Sequence, residues 1–447
     1  MMAYFIYFQV VVSEDFINQP NNARQELLEE QVVRGNIYSA DGDVLAETIV
    51  ESDGTEQRNY PYGNLFFHAV GYSVQGKTGI ESMANFSLLR SHISTEEKVA
   101  NELAGVKNQG DNVYTTLNLK LQQAAYDALS FYEGAVVVME PATGKILAMV
   151  SKPDYDPNCV LEDWDYLVAE DNDSTVLLNR ATQGLYPPGS TFKIFTALEY
   201  IHENPDYEDY SFHCNSVYKT EDAVIHCAGN KSHGTLNLEE SFAESCNSSF
   251  SAIGLTLNIT QFAKLCDDLL FNTKLPTGFE SVKSSFSLSE DASDAEIMQS
   301  AIGQGKTLVT PFHMALVTCA IANDGVLMNP YVIDHTENYR GVRIKSYEPS
   351  EYGSLMSAED AAILQEYMSA VVDYGTAKSL SGQSYTVAGK TGSAEFNTTN
   401  NSHAWFVGYA HQDGKEDIAV AIIVEDSGSG SKYAVPIAKK IFDAYYE

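Results

Sequence analysis

The sequence has few positive charges for its length. Its 447 residues contain 27 Lys and Arg against 61 Asp and Glu, which gives a formal net charge of −34 at pH 7. Nucleic acids and anionic lipid surfaces would repel such a chain, so we exclude both as general partners. Hydrophobic residues make up 44% of the sequence, enough for the core of a globular protein.

Cysteine is also scarce. The 6 cysteines are too few in a chain of this length to form a disulfide framework. Cys214 and Cys227 bracket a polar segment, and His213, His226 and His233 lie near them in the sequence. A disulfide, free thiols and a zinc site are the alternatives there. The spacing matches no standard zinc pattern, so we assign no metal.

The amino terminus has no apolar run that is long enough to cross a membrane. An apolar run covers residues 1–12 and stops at Ser13-Glu14-Asp15. A membrane-spanning helix needs roughly 20 apolar residues, and a signal peptide needs flanking basic and small residues that are absent here. We interpret residues 1–12 as the remnant of a membrane anchor, with a buried strand or core segment as the alternative.

The elements that follow show clear local signals. Asp41-Gly42 between two apolar stretches predicts a β-hairpin over residues 35–46. Apolar residues at helical spacing predict a helix over 117–129 with Asn118 as its cap. Continuous apolar runs then predict a hairpin of two buried strands over 134–150.

The carboxy-terminal part repeats the strand signals. Strands are predicted at 385–388, 405–409 and 418–424, and Pro436 is placed in the first turn of a closing helix. Residues 192–382 are largely helical, with Gly- and Ser-rich connections. The two ends therefore supply a sheet, and the middle supplies helices.

A first short motif, Ser190-x-x-Lys193, pairs a nucleophile with an amine on the same helix face. Pro187-Pro188-Gly189 precedes it and cannot continue a helix, which predicts Ser190 at or near a helix amino terminus. Free backbone N–H groups there favour a developing oxyanion. Lys193 can act as a base only if burial or a nearby cation, such as Lys390, lowers its pKa.

Two further motifs complete a set. In Ser245-Cys246-Asn247 the hydroxyl can relay a proton and the amide can hold a substrate, whereas Cys246 is expected to point away. In Lys390-Thr391-Gly392-Ser393 a cation follows a predicted strand, and the glycine allows close approach of a substrate backbone. These are the parts of a serine acyl-transfer site that works without histidine.

The same short patterns recur elsewhere in the chain. Ser216-x-x-Lys219 and Ser429-x-x-Lys432 repeat the first motif without a preceding Pro-Pro-Gly element. Lys77-Thr78-Gly79 repeats the third motif with no apolar strand in front of it. Gly305-Lys306-Thr307 suggests a phosphate loop, but Ser300 stands where that loop needs glycine. We set all four aside.

In order and separation, the three motifs resemble those of penicillin-binding proteins and serine β-lactamases. The stretch Arg34–Ala46 is similar to the signature that opens the amino-terminal region of class B, monofunctional penicillin-binding proteins, and Pro141–Met149 resembles the first hairpin of their transpeptidase domain. The resemblance extends over nearly the whole chain through Gly71-Tyr72, Gly79–Glu81, Asn179–Ala181, Gly303–Gly305 and Thr310-Pro311.

This resemblance implies a fold. We expect an α/β (α+β) transpeptidase fold like that of serine β-lactamases, with an antiparallel sheet flanked by helices and a helical subdomain. A small, mixed amino-terminal pedestal is expected to precede it. The implied ranges are an anchor remnant at 1–12, the pedestal region at 13–114 and the transpeptidase domain at 115–447.

The resemblance also implies an activity, the cross-linking of peptidoglycan by a D,D-transpeptidase. Ser190 would attack the penultimate D-Ala carbonyl of a stem peptide, Lys193 would be its base and Ser245 the proton relay. The implied substrate-binding residues are Asn247, Lys390, Thr391, Gly392 and Ser393. Backbone N–H groups of Ser190 and Ser393 would form the oxyanion hole.

The implied partners are D-Ala-D-Ala stem peptides, the β-lactam antibiotics that mimic them, and a membrane peptidoglycan glycosyltransferase of the SEDS type. No cofactor is implied. The family acts in cell division and cell shape at the outer face of the bacterial cytoplasmic membrane. The alternatives are a D,D-carboxypeptidase or β-lactamase, in which water replaces the acceptor amine, and a non-catalytic scaffold that binds β-lactams.

Overall fold

The computed structural model describes residues 24–395 and 402–447, and these residues form two compact units that are interleaved along the chain. Of the described residues, the first unit takes in 24–123, 146–177 and 331–348, and the second takes in 124–145, 178–330, 349–395 and 402–447. The predicted anchor remnant lies outside the described residues, and the predicted domain boundaries stay predictions. No helix within the described ranges is long and apolar enough to cross a membrane.

The strands include several of only two or three residues. In chain order they are β1 Val32–Val33, β2 Ile37–Tyr38, β3 Val44–Val50, β4 Glu56–Asn59, β5 Asn108–Gln109, β6 Asn112–Thr115, β7 Gly134–Met139, β8 Ile146–Lys152, β9 Phe212–Cys214, β10 Val217–Lys219, β11 Val224–His226, β12 Gly234–Leu236, β13 Val326–Met328, β14 Ile333–Glu337, β15 Arg343–Ser346, β16 Glu351–Ser354, β17 Thr386–Glu395, β18 Ser402–His411 and β19 Ile418–Val424.

The helices are concentrated in the middle of the chain. In chain order they are α1 Arg24–Gln31, α2 Phe67–Val70, α3 Gly79–Met83, α4 Asn85–Leu88, α5 Thr95–Ala104, α6 Leu119–Leu129, α7 Trp164–Leu167, α8 Lys193–Glu203, α9 Leu238–Ala243, α10 Asn247–Gly254, α11 Ile259–Asp268, α12 Asp294–Ala301, α13 Pro311–Ala322, α14 Ala358–Asp373 and α15 Gly430–Tyr446. Short 3₁₀ turns lie at Gly63–Phe66, Gly189–Phe192, Tyr207–Asp209, Ala228–Asn230 and Lys378–Leu380.

A mixed sheet organises the first unit. Its strand order is β15-β14-β6-β2-β3-β4, with β2 and β6 parallel and the other neighbours antiparallel. The predicted hairpin is confirmed as β2 and β3, and the Gly42 N–H donates to the Ser39 carbonyl across its turn at 3.1 Å. Gly42 has φ of +89°, a left-handed conformation that glycine adopts without strain.

A buried ion cluster lies in the first unit. The fully buried Glu81 carboxylate accepts from Arg34 Nε at 2.7 Å and from Arg58 Nε at 2.7 Å. The Tyr60 hydroxyl donates to the same carboxylate at 3.2 Å. Burial raises the pKa of Glu81, but the two guanidinium charges outweigh it and hold this pKa below its ordinary value. The carboxylate is therefore the charged centre that pairs both arginines.

Four strands of the second unit pair antiparallel in the order β17-β18-β19-β7. Every residue of β7 and β19 is buried, and successive residues face opposite sides of a strand, so both faces are covered. Helix α13 packs on β7 and β19, α14 on β17 and α15 on β18. The prediction that the two ends supply this sheet is confirmed, whereas the middle supplies the short strands β9–β16 as well as helices.

The local predictions around the sheet are confirmed with one exception. Asn118 caps α6, since its Oδ1 accepts from the Leu121 N–H at 2.9 Å, and the two predicted buried strands follow as β7 and β8. The prediction for the closing helix was wrong, because α15 begins at Gly430 and Pro436 lies inside it rather than in its first turn. Buried apolar neighbours of the proline pack the helix on the sheet, which offsets one lost backbone hydrogen bond.

We expect Glu81→Ala to lower the free energy of unfolding by about 3–5 kcal/mol, because it leaves two buried guanidinium groups without their carboxylate. Urea unfolding followed by circular dichroism measures the change. The control Glu102→Ala removes an exposed carboxylate on α5 and should change stability by less than about 0.5 kcal/mol. Equal losses in the two variants would contradict a stabilising role for the cluster.

Candidate active site

Ser190 lies in the 3₁₀ turn Gly189–Phe192, which leads directly into α8. This position agrees with the helix start predicted from the sequence. Gly189 has φ of +53°, and a Cβ at this residue would lie 2.7 Å from the Ser393 carbonyl oxygen. Glycine therefore lets the Gly189–Phe192 turn approach β17 closely.

Three hydrogen bonds hold the segment in front of Ser190. The Thr191 hydroxyl donates to the Pro188 carbonyl at 2.8 Å, and the Trp405 indole N–H donates to the Pro187 carbonyl at 3.1 Å. The Gly189 N–H donates to the Gly303 carbonyl at 2.8 Å. The Ser190 hydroxyl itself is half-buried and has no hydrogen-bond partner among the described residues. These hydrogen bonds fix the turn, and they leave the Ser190 hydroxyl free to react.

Lys193 opens α8 and is fully buried. Its Nζ donates to the Ser245 carbonyl at 2.7 Å, to Asn247 Oδ1 at 2.8 Å and to Ser245 Oγ at 3.2 Å. The ammonium also lies 5.4 Å from the centroid of the Phe250 ring. Burial lowers the pKa of Lys193 to about 7, so a large share of the amine is neutral at physiological pH.

Lys390, on β17, is a second fully buried lysine. Its Nζ donates to Ser245 Oγ at 2.9 Å and to the Thr391 carbonyl at 3.3 Å. The ring of Phe242 has its centroid 5.4 Å away. Burial and then the charge of Lys193 hold the pKa of Lys390 well below its ordinary value. Two buried amines thus share one hydroxyl oxygen, and each disfavours the charge of the other.

Ser245 occupies the corner between α9 and α10. Its φ of +55° is left-handed, which is uncommon for a residue other than glycine and concentrates at functional positions. The Ser245 N–H donates to the Phe242 carbonyl at 3.1 Å, and the Cys246 N–H donates to the Ser241 carbonyl at 2.9 Å. The buried Cys246 then caps α10, since its Sγ accepts from the Ser249 N–H at 3.4 Å. Ser245 and Asn247 contact Lys193, whereas the Cys246 side chain points away from it, as expected from the sequence.

Asn247, the first residue of α10, links this corner to β11. Its Oδ1 accepts from Lys193, and its Nδ2 donates to the His226 carbonyl at 3.0 Å. An amide nitrogen carries two protons, so one of them is left for a substrate carbonyl.

The third motif lies on β17, which pairs with β18 alone in the described sheet. Lys390 and Thr391 are buried, whereas Ser393 is exposed. The Thr391 hydroxyl lies 2.6 Å from that of Thr376, either of which can donate. An edge strand leaves backbone N–H and C=O groups that can pair with an extended peptide. This edge suits a substrate peptide that is held next to the nucleophile.

Gly392 and Ser393 adjoin the surrounding turns. A Cβ at Gly392 would lie 3.0 Å from the Pro188 carbonyl oxygen. The absence of a side chain therefore lets β17 pack against the start of the Gly189–Phe192 turn. The Ser393 Oγ accepts weakly from the Gly430 N–H at 3.4 Å. The structure thus joins Lys193, Ser245, Asn247 and Lys390 by direct hydrogen bonds and brings Thr391, Gly392 and Ser393 beside them on one strand.

The rejected copies of the motifs have other surroundings. Ser216 precedes β10, and its motif lysine, Lys219, is exposed. Ser429 precedes α15, and its hydroxyl lies 3.4 Å from that of Ser431. Lys306 forms an exposed ion pair with Glu296 at 3.0 Å. None of these supports a second acyl-transfer site.

Four residues of the site were not singled out from the sequence, namely Phe242, Phe250, Thr376 and Trp405. The two phenylalanines lie three residues before Ser245 and three after Asn247, a helical spacing that could have indicated them. Trp405 faces Gly392 in the register of β17 and β18, which an alignment of the two predicted strands could have shown. Thr376 has no local signal.

Two family models match the chain. The penicillin binding protein transpeptidase domain matches residues 134–443, and the penicillin binding protein A dimerisation domain matches residues 34–113. Both matches agree with the resemblance drawn from the motifs.

Characterised relatives match nearly the whole chain. The peptidoglycan D,D-transpeptidase PbpA of Mycolicibacterium smegmatis is 32% identical over 96% of this chain and 92% of its own length. The D,D-transpeptidase domain of a peptidoglycan glycosyltransferase from Eggerthella lenta superposes with a TM-score of 0.82 at 32% identity, over 92% of this chain and 97% of that one. Penicillin-binding protein A from M. tuberculosis, as an imipenem acyl-enzyme complex, also gives a TM-score of 0.82, at 27% identity over 94% of this chain and 100% of that one.

Proposed function

The chain belongs to the class B penicillin-binding proteins, and on that basis we propose that it is a peptidoglycan D,D-transpeptidase whose acyl-enzyme forms on Ser190. The observation that carries the residue assignment is the position of Ser245 Oγ, 3.2 Å from Lys193 Nζ and 2.9 Å from Lys390 Nζ. The Ser245 hydroxyl would supply a proton path between the base, Lys193, and the substrate-binding cation, Lys390.

In the proposed acylation step, Ser190 Oγ attacks the carbonyl carbon of the penultimate D-Ala of a stem peptide. Neutral Lys193 takes the hydroxyl proton, which the lowered pKa of this lysine allows. The backbone N–H groups of Ser190 and Ser393 are proposed to bind the oxyanion, since the two backbone segments adjoin at Gly189.

In the collapse of the intermediate, the C–N bond breaks and the terminal D-Ala leaves as an amine. Ser245 gives its hydroxyl proton to that nitrogen and regains one from Lys193. Lys390 and the hydroxyls of Thr391 and Ser393 hold the substrate carboxylate. A bound carboxylate favours the charged form of Lys390, and the mutual repulsion of the two amines then keeps Lys193 neutral until it takes the Ser190 proton.

The second half-reaction transfers the acyl group. An amine of another stem peptide attacks the ester carbonyl and loses a proton to Lys193. The C–O bond to Ser190 breaks, and Lys193 returns that proton to the Ser190 oxygen. A β-lactam would enter the first half-reaction in the same way and remain as an ester on Ser190. In a carboxypeptidase or β-lactamase water would replace the amine, and a scaffold would not complete either step.

We expect labelled penicillin to form one stable ester on Ser190, because this serine alone follows the constrained Pro-Pro-Gly turn and precedes the buried lysine. Intact mass after incubation, with peptide mapping of the adduct, identifies the residue and follows its release. Ser190→Ala should abolish labelling. Ser216→Ala and Ser429→Ala are the matched controls and should label like the wild type.

Three results would refute parts of this assignment. Labelling that survives in Ser190→Ala would exclude Ser190 as the nucleophile. Rapid release of the adduct, with turnover of the antibiotic, would indicate a β-lactamase instead of a transpeptidase. A D-Ala-D-Ala stem-peptide analogue with a D-amino acid acceptor should give the exchanged product, whereas hydrolysis alone would indicate a carboxypeptidase.

The rate of penicillin acylation should rise with pH. Since burial lowers the pKa of Lys193 to about 7, the neutral base increases as pH passes upward through that value. A stopped-flow profile should therefore show the rate constant climbing by roughly tenfold between pH 6 and pH 8. Lys193→Arg keeps a charge at every such pH and should lower the rate by about 10²-fold or more.

The control for this profile is Lys219→Arg, which changes the exposed lysine of a rejected motif. It should keep the wild-type profile. A wild-type rate that is constant from pH 6 to pH 8, or that rises only near the pKa of an exposed lysine, would contradict a buried neutral Lys193 as the base.

We further propose that the protein works at the outer face of the cytoplasmic membrane beside a SEDS-type glycosyltransferase, as its family membership suggests. The acidic chain has no general attraction to anionic lipid, so a specific protein partner suits it better than the lipid surface. Chemical cross-linking in the native membrane, followed by mass spectrometry, should recover that glycosyltransferase. Its absence from cross-linked material that contains other wall-synthesis proteins would contradict the pairing.

A further inference from the structure

Four side chains with metal-ligating atoms converge beneath the Ser245–Asn247 corner. They are Cys214, Cys227, His233 and Cys246, and their ligand atoms all lie within 4.8 Å of one another. The three thiols are buried, and His233 is partly buried. The sequence had suggested Cys214, Cys227 and three histidines as neighbours. The structure brings in one of those histidines and adds Cys246.

The distances match a tetrahedral centre. Cys227 Sγ lies 3.7 Å from both Cys214 Sγ and Cys246 Sγ, and Cys214 Sγ lies 3.3 Å from His233 Nδ1. Zinc–sulfur bonds of about 2.3 Å and zinc–nitrogen bonds of about 2.0 Å in a tetrahedron place sulfurs about 3.8 Å apart and sulfur and nitrogen about 3.5 Å apart. A disulfide needs sulfurs about 2.05 Å apart, and these thiols are free.

The local fold brings the ligands together from four separate places. Cys214 ends β9, Cys227 follows β11, His233 precedes β12, and Cys246 caps α10. Strands β9 and β12 pair with each other, as do β10 and β11. Because each strand has three residues, the backbone ladders alone hold this lobe, residues 212–236, only weakly.

The lobe lacks another core. Its buried cluster consists of Cys214, Cys227 and Leu236 from the lobe and Cys246 from the α10 cap, with Phe212 packed against them. Segments of fewer than about 40 residues usually need disulfides, metals or other support to hold a fold. A metal bound by the cysteines would supply the missing support, which free thiols do not.

The sulfurs also have donors suited to thiolates. The Ser216 N–H donates to Cys214 Sγ at 3.4 Å, and the Ser249 N–H donates to Cys246 Sγ at 3.4 Å. The Ser248 hydroxyl lies 3.2 Å from Cys227 Sγ. Hydrogen bonds of this kind orient metal ligands and stabilise their negative charge.

We infer that Cys214, Cys227, Cys246 and His233 bind a structural Zn²⁺ that positions the Ser245–Asn247 corner. Three thiolates and one imidazole are a standard ligand set for structural zinc. With all four positions filled by protein, the ion has no open site for substrate, so its role is to hold the fold.

The link to the active site is short. Cys246 stands between Ser245 and Asn247, which both accept hydrogen bonds from Lys193. Cys227 follows His226, whose carbonyl accepts from Asn247 Nδ2. Two ligands are thus covalent neighbours of groups that hold the motif. The inference that zinc binds here does not depend on the proposed function. The inference that zinc affects acylation rests on that function.

The test starts from the whole purified chain, reduced, loaded with zinc and desalted. Elemental analysis should give about one zinc per chain. Cys214→Ser and His233→Ala should each weaken zinc binding by at least about tenfold, in competition with a chromophoric chelator. The matched controls are Cys159→Ser and His213→Ala, since His213 lies in the same lobe but bonds to Thr235 at 2.9 Å. Both should keep wild-type affinity.

A second measurement avoids variants that fail to fold. Chelation of zinc from the wild-type protein should slow penicillin acylation of Ser190 by at least about tenfold, and added Zn²⁺ but not Mg²⁺ should restore the rate. Cobalt substitution should give the visible absorption of a tetrahedral thiolate site.

Each remaining outcome overturns either a part of the inference or the proposed function. A wild-type chain that takes up no zinc, zinc retained by the ligand variants, or a mapped disulfide among these cysteines would overturn the metal site. Acylation that is unchanged after complete zinc removal would overturn its positioning role. Zinc binding without any acylation would leave the metal site standing and refute the proposed function alone.

Discussion

Two buried lysine amines that share one hydroxyl oxygen are the interaction on which this site depends. Ser245 Oγ lies between Lys193 and Lys390, and neither lysine has access to water. Removing an ammonium group from water disfavours its charge, and a second one nearby disfavours it further. The aromatic rings of Phe242 and Phe250 and the covered sheet exclude water around these amines. The packing of the second unit thus lowers the pKa values of both lysines.

This arrangement explains why the backbone is unusual at the points where the motifs meet. The Gly189–Phe192 turn, β17 and the Ser245 corner come from distant parts of the chain. The turn and β17 approach so closely that a side chain would collide at Gly189 and would be tightly contacted at Gly392. Ser245 itself is held in a left-handed conformation. Strain of this kind persists only where surrounding contacts over-determine it, and here those contacts are backbone hydrogen bonds from Ser245 and Cys246.

Sequence patterns predicted the local elements well, and they singled out residues that the fold brings together, since both depend on short-range chemistry. The hairpin at Asp41-Gly42, the Asn118 cap and the strands of the sheet follow from turn preferences and periodicity. The partners of those groups were harder to predict, because they depend on tertiary packing. Thr376 meets Thr391 only through the fold, and packing of α15 on the sheet overrides the preference of Pro436 for a first turn.

The cysteines show why spacing alone could not decide between a disulfide, thiols and a metal. Spacing singles out residues that share a hairpin, but the fourth ligand here comes from Cys246, in a motif that had been assigned wholly to catalysis. The proposed catalysis uses the residues on either side of Cys246, and its own side chain turns inward to the cluster. One tripeptide can serve both purposes because its middle and outer side chains point in different directions. A ligand at this position therefore holds the corner from below without occupying any of the space in which a substrate would react.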